Sequence, residues 1–380
     1  MNFQRAQSIS ENISPRRALI IYGPRRVGKT TLLHEYLTAT TSNHPDSRIL
    51  SVVGDNITVQ NVFASRELEK LKHFAQDYDI IAIDEAQQVP HIGIGTKMLV
   101  DHFPEKTFIL TGSSSFELAG QIGEPLTGRH FTLTLLPIAQ SELQIGNFER
   151  TEALAHFLIY GAYPEVLTTN SPHGKQKILT ELVSSYLYRD VLALDRIKSP
   201  TLLRNITKIL ATQIGHDVSL NEIANTLDAD VKTVGRYIDL LEKMFVIKKV
   251  PGFSRNLRTE ITKKARYYFL DNGVRNAVLG QFSTLDMRTD HGALWENFIF
   301  MELLKRDVIE QKFSTYYFWR THTGAEVDII REENGQLRAF ECKWNPRKAR
   351  RTPPQSFASA YPNTPFATIT PENYLSHICP

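Results

Sequence analysis

Three groups of residues in this 380-residue chain have the types and spacing to do chemistry. The first is Gly23-Pro24-Arg25-Arg26-Val27-Gly28-Lys29-Thr30-Thr31, a G-x-x-x-x-G-K-T pattern between the apolar ALIIY and the helical TTLLHEYL. Glycines at both ends let the backbone curl until its N–H groups face phosphate oxygens, and the following helix N-terminus adds partial positive charge. Lys29 would reach the β and γ phosphates of ATP, and Thr30 would ligate Mg²⁺. The second group ends the apolar run YDIIAIDEAQQV, where Asp84 would hold the same ion through water and Glu85 would orient or deprotonate the attacking water. The third is EVDIIREENGQLRAFECKW, whose Asn334-Gly335 turn predicts a two-residue type I′ hairpin. If Glu333 pairs with Gln336, Asp328 faces Glu341 and Glu326 faces Lys343 on one side of the pleat, with Val327, Ile329, Phe340 and Cys342 on the other. Facing carboxylates repel by roughly 0.2–1 kcal/mol unless a cation lies between them. A hard divalent ion would turn that cost into a site.

Further single residues join these groups. The run KTFILTGSSSFEL is a third apolar strand, with Thr111 and Ser113 as alternative sensors of the γ-phosphate. Arg129, in LTGRHFTLTLLP, is a candidate arginine finger in cis or in trans and equally a surface arginine. In GALWENFIFMELLKR, Glu296 shares a helical face with Ile299, Phe300 and Leu303, so a buried acid there wants a partner.

The elements that must position these residues follow from periodicity. Apolar strands near 18–22, 48–53, 79–83, 107–111 and 131–135 predict a parallel α/β sheet. The stretch SLNEIANTLDADVKTVGRYIDLLEKMFVIKKV predicts two helices joined by an Asp-Ala-Asp turn and then a strand, with Ser219 and Glu222 as a capping box. This is a helix-turn-helix pattern. The window from Lys248 to Arg266 carries seven basic residues against Glu260 alone and would form a wing. On duplex DNA, Lys232, Thr233 and Arg236 would face the major groove, while Arg255, Arg258, Lys263 and Lys264 meet phosphates. Winged helices also serve as protein-binding levers. The helical stretch 149–198 offers no chemistry, and RTPPQSFASAYPNTP is a turn-rich covering segment.

At 42% hydrophobic residues the chain can bury a large core, and its length predicts two or three domains. Two cysteines exclude a four-cysteine zinc site and a disulfide scaffold, which points to a reducing cytoplasm. Without a signal peptide or an 18-residue apolar run, no membrane association is expected.

The blocks GPRRVGKTTLL, IDEAQ and TGSSS resemble an AAA+-type P-loop ATPase. LLPIAQSEL, GAYPEVL, YLYRDV and YYFLDNGVRNAVLG extend the likeness to a group of prokaryotic ATPases whose C-terminal domain was long catalogued as of unknown function. Helix Glu, hairpin Asp and Glu-x-Lys resemble the metal-dependent members of the PD-(D/E)xK nuclease family over the last hundred or so residues. Two departures matter: typical sensor strands of AAA+ proteins end in Asn, and no clear second sensor arginine follows. Hexameric motor behaviour is therefore not implied, though a homo-oligomer stays open. The resemblance implies a P-loop ATPase domain (1–148), a helical lid (149–198), a winged helix (199–270) and a restriction-endonuclease-like α/β domain (271–380). It implies an ATP-hydrolysing, DNA-processing protein with a nuclease-like site in which Asp328, Glu341 and Glu296 hold Mg²⁺ or Mn²⁺ and Lys343 activates water. The alternative is a nucleotide-driven switch whose C-terminal domain binds DNA or protein without cleavage.

Overall fold

The computed structural model describes residues 3–112, 126–184, 199–254 and 264–379. Ser113, Arg255, Arg258 and Lys263 lie outside the described residues. The chain divides into two compact units, Gln4–Leu136 with Lys243–Phe245, and Met1–Phe3 with Pro137–Glu242 and Val246–Pro380.

The first unit is a five-stranded parallel sheet in the order β2-β3-β4-β1-β5. Its strands are β1 (Ala18–Tyr22), β2 (Ile49–Val53), β3 (Ile80–Asp84), β4 (Thr107–Gly112) and β5 (His130–Thr134), close to the predicted runs. Helices α1 (Lys29–Asn43), α2 (Ile57–Ser65), α3 (Leu68–Ala75) and α4 (Ile92–His102) connect them. β1 is buried along its whole length and β4 at all but its first residue, as expected of parallel strands covered on both faces. β4 lies between β1 and β3, so the carboxyl ends of the P-loop strand and the acidic strand flank Thr111. A crevice outside the carboxyl ends of such strands is where α/β sheets take their ligands.

In the second unit, the helices Pro200–Thr212, Leu220–Thr226 and Val231–Lys243 precede an antiparallel pair, β6 (Ile247–Pro251) and β7 (Ala265–Phe269). Ser219 caps the second helix by accepting from the Glu222 N–H at 3.4 Å, and Asp230 caps the third by accepting from the Thr233 N–H at 2.9 Å. The apolar stripe of the third helix buries Val234, Tyr237, Ile238, Leu240 and Leu241.

The C-terminal part of this unit is a sheet ordered β11-β10-β9-β8, formed by β8 (Ser314–Arg320), β9 (Glu326–Glu333), β10 (Gln336–Cys342) and β11 (Phe366–Ile369). The long helix His291–Ile309 accompanies it. The hairpin has the predicted register, from Gln336↔Glu333 to Phe340↔Ile329, so Asp328 and Glu341 follow as the next opposed pair. Asn334 and Gly335 both adopt positive φ (51° and 77°), as a type I′ turn requires. The segment after the hairpin does act as a cover, burying Phe357 and Tyr361 against Trp319, Val327, Ile330 and Ala339.

Candidate functional site

The phosphate cradle is built by conformation first. The chain leaves β1 through Gly23 (φ 152°) and enters α1 through Gly28 (φ 99°). A Cβ at Gly23 would stand 2.0 Å from the Leu135 carbonyl oxygen, so only glycine fits there. Lys29 is buried, and its Nζ donates to the carbonyl oxygens of Gly23 and Pro24, each at 2.9 Å. Burial pulls its pKa down to about 8, an effect opposed by Glu85 and Asp84. An ammonium that has lost solvent and gained only carbonyl partners is poised to take phosphate oxygens in their place.

The acidic loop is held from three elements. Thr30 Oγ1 on α1 donates to Asp84 Oδ2 at 2.8 Å. The buried Thr111 hydroxyl on β4 donates to Asp84 Oδ1 and accepts from the Glu85 N–H at 3.1 Å. Gly54, after β2, donates its N–H to the Asp84 carbonyl at 2.7 Å. Glu85 has left-handed backbone (φ 51°), a conformation that costs an ordinary residue roughly 1–2 kcal/mol, and its carboxylate accepts from Gln87 Nε2. Sequence reasoning left the role open between Thr111 and Ser113; Thr111 is occupied bracing the acids. The Thr30–Asp84 pair beside the cradle suits Mg²⁺, which would neutralise phosphate charge there.

Arg129 corrects one expectation. It immediately precedes His130, which pairs with Ala18 at the start of β1, and its Nε donates to Asp101. The P-loop leaves the opposite end of that strand, roughly 16 Å away at about 3.3 Å per residue. Arg129 therefore cannot serve its own P-loop as a finger.

In the second unit the hairpin acids are not on a solvated face. Asp328 and Glu341 are each 4% exposed. The Lys343 ammonium is 2.8 Å from Glu341 Oε1 and 3.9 Å from Asp328 Oδ2, and burial is outweighed by these acids, which raise its pKa. Asp328 Oδ2 also accepts from the Cys342 N–H at 2.8 Å. Glu296 does face the cluster from its helix, with its pKa raised to about 8 by burial and then by Asp328, while Tyr268 donates to it at 2.7 Å.

Lys343 is the cation near both Asp328 and Glu341, and a guanidinium joins it on the Asp328 side. Arg266, on β7 and only 2% exposed, reaches Glu326 at 3.0 Å, Asp217 at 3.3 Å, Glu296 at 3.5 Å and Asp328 at 3.8 Å. Its face covers the Phe318 ring at 4.6 Å from the centroid. The expected three-carboxylate metal site of Glu296, Asp328 and Glu341 is thus corrected. Among the described residues no group of three or more His, Cys, Asp or Glu is placed to hold a metal ion, and Arg266 lies against two of the three acids, Glu296 and Asp328. Arg266 had been counted with the basic window; its burial subtracts it from any phosphate-binding surface.

Of the predicted DNA contacts, Lys232 and Arg236 are exposed on the third helix and Lys264 is exposed before β7, while Thr233 is half-buried. The Arg236 guanidinium lies 5.6 Å from the Tyr237 ring centroid.

A buried polar network went unrecognised in the sequence. Glu302 accepts from the Gln140 N–H at 2.7 Å and pairs with Lys305 at 2.7 Å, and Lys305 donates to the Ile138 carbonyl at 3.1 Å. Asp271 accepts from the Ala162 N–H at 2.7 Å, its carboxyl pushed up by burial. The backbone of LLPIAQSEL is thus held by side chains of the helix His291–Ile309 and that of GAYPEVL by Asp271 of FLDNG, a structural task whose only sequence signal was charge on apolar stripes.

A sequence profile described as an AAA domain matches residues 15–144. Profiles described as domains of unknown function, DUF8612 and DUF4143, match 151–285 and 291–374. An uncharacterized protein of Mycobacterium tuberculosis is 28% identical over 333 residues, covering 86% of this chain and 70% of that protein. Another, from Methanocaldococcus jannaschii, is 26% identical over 356 residues, with 87% and 76% covered. The structure of AMPPCP-bound DnaA from Aquifex aeolicus matches at 14% identity and a TM-score of 0.30, over 60% of this chain and 81% of that one. The first unit is AAA+ ATPase-like in its profile match and carries the P-loop geometry described above. No helix among the described residues is long and apolar enough to cross a membrane.

Proposed function

We propose that this chain is an ATP-binding and ATP-hydrolysing protein that works on DNA as a nucleotide-driven regulator. The observation that carries the ATP assignment is the Asp84 carboxylate bridging Thr30 and Thr111 beside a buried Lys29. ATP phosphates would draw Lys29 from the Gly23 and Pro24 carbonyls, Mg²⁺ would lie against Thr30 and Asp84, and Glu85, released from Gln87, would orient the attacking water. For DNA, support comes from a helix bearing exposed Lys232 and Arg236, followed by a two-stranded sheet beside exposed Lys264. We read this arrangement as a winged helix and the C-terminal sheet as nuclease-like. Two free cysteines accord with a cytoplasmic setting.

Metal-dependent cleavage at Asp328, Glu341 and Lys343 is the second reading. It has one observation in its favour: Glu341 Oε2 is buried without a hydrogen-bond partner. The Arg266 contacts weigh on the side of regulation without cleavage.

Lys29→Ala should abolish nucleotide binding, whereas Glu85→Gln should bind ATP and turn it over at least a hundredfold more slowly, because only the second spares the cradle. Fluorescent-nucleotide titration and phosphate release measure the two. Equal turnover in wild type and both variants would remove the ATP site.

A further inference from the structure

We infer that Arg266 is a built-in lock on the acidic cluster of the second unit, excluding divalent ions while its guanidinium stays in place. The inference rests on the C-terminal half of the proposed reading and is independent of the ATP site.

A planar guanidinium offers five N–H donors in a fixed fork, so it can answer several carboxylates at once where an ammonium answers one or two. Arg266 uses that capacity on Asp217, Glu296, Glu326 and Asp328, which come from three separate stretches of chain, the last two from β9. Lys343 supplies the second cation, against Glu341 and Asp328. A divalent ion needs carboxylate oxygens free to converge on it at about 2.0–2.6 Å. The guanidinium approaches the Asp328 Oδ1 and Glu296 oxygens that such convergence would use.

The lock also covers a latent site. Glu341 is 4% exposed, and its Oε2 has no hydrogen-bond partner, although a buried carboxylate oxygen normally has one. Glu341 and Asp328 are the residues that follow the last paired positions of the hairpin, Phe340 and Ile329. With Arg266 gone, Lys343 would still pair with Glu341 and stand 3.9 Å from Asp328, but the buried acids would outnumber the cations beside them, and a hard cation is the remedy available from solution. The placement of Arg266 on β7, two residues beyond Lys264, puts the lock on the same strand pair that we read as the DNA-binding wing.

The test is Mn²⁺ uptake by the full chain, read by electron paramagnetic resonance without nucleotide. An Asp84→Asn background removes the other unit's acid from the assay. The parent should take up no Mn²⁺ that Asp328→Asn abolishes. Arg266→Met should take up about one equivalent, lost again when Asp328→Asn is added, and its lowered melting temperature should be raised by Mn²⁺. If Arg266→Met does not fold, Arg266→Lys replaces it, since an ammonium cannot span four carboxylates, and Mn²⁺ uptake is again expected. Asp328-dependent Mn²⁺ binding by the parent would overturn the inference, and so would a folded Arg266 variant that binds none.

Discussion

Replacing Thr111 by Val keeps the shape of a fully buried side chain and deletes one hydroxyl. That hydroxyl donates to the Asp84 carboxylate and accepts from the Glu85 N–H at 3.1 Å. A hydrogen bond to a charged acceptor contributes about 1.5–3 kcal/mol, and a buried N–H left without a partner costs about 1–3 kcal/mol. Asp84 keeps Thr30, so the net loss should be about 2.5–4 kcal/mol, in the lower part of the combined range. For a unit of this size that lowers the melting temperature by on the order of 10 °C. Because the left-handed Glu85 backbone loses a tether, ATP turnover should fall much more than nucleotide affinity, which depends on the untouched cradle. Calorimetry of the nucleotide-free protein, ATPase assays and nucleotide titration give the three quantities, and Thr111→Ser should restore all of them. If Thr111 instead senses the γ-phosphate, the valine variant would melt normally without nucleotide and lose discrimination between ATP and ADP, and that result would refute the bracing role.

Arg129→Ala should leave turnover by isolated monomers unchanged, since the residue lies at the far end of β1 from the P-loop; a tenfold loss in dilute, demonstrably monomeric protein would contradict this. Lys232→Ala with Arg236→Ala should weaken duplex binding across sequences and reduce the slope of log affinity against log salt by roughly 2, at about 0.9 per lost phosphate contact, measured by anisotropy. His156 is held neutral by burial and by Lys175, which donates to its Nδ1 at 2.9 Å, and its pKa drops to about 4. The unfolded chain therefore binds the extra proton first. Stability of the second unit should fall as pH drops from about 6.5 to 4, by on the order of 1 kcal/mol per pH unit, and His156→Gln should flatten that limb in urea melts.

What the sequence determined by itself was whatever is set by neighbours along the chain. The P-loop was legible because its spacing, its glycines and the flanking strand and helix are one continuous segment. The Asn334-Gly335 turn dictated the hairpin register, since a two-residue loop leaves a single pairing. Strand positions in the first unit followed from apolar runs, and the buried stripe of Val231–Lys243 from helical spacing. Tertiary structure decided the questions that depend on which distant segments meet. Sheet order brings Thr111 to Asp84 and sends Arg129 to the opposite end of β1. Most of all, the repulsion between Asp328 and Glu341 announced that a cation was required without saying which one. Local pattern assigned Arg266 to a basic surface, because a run of lysines and arginines carries no mark of the one that turns inward. Only the fold, by laying β7 against acids from Asp217, Glu296, Glu326 and Asp328, makes it the counter-ion of the cluster.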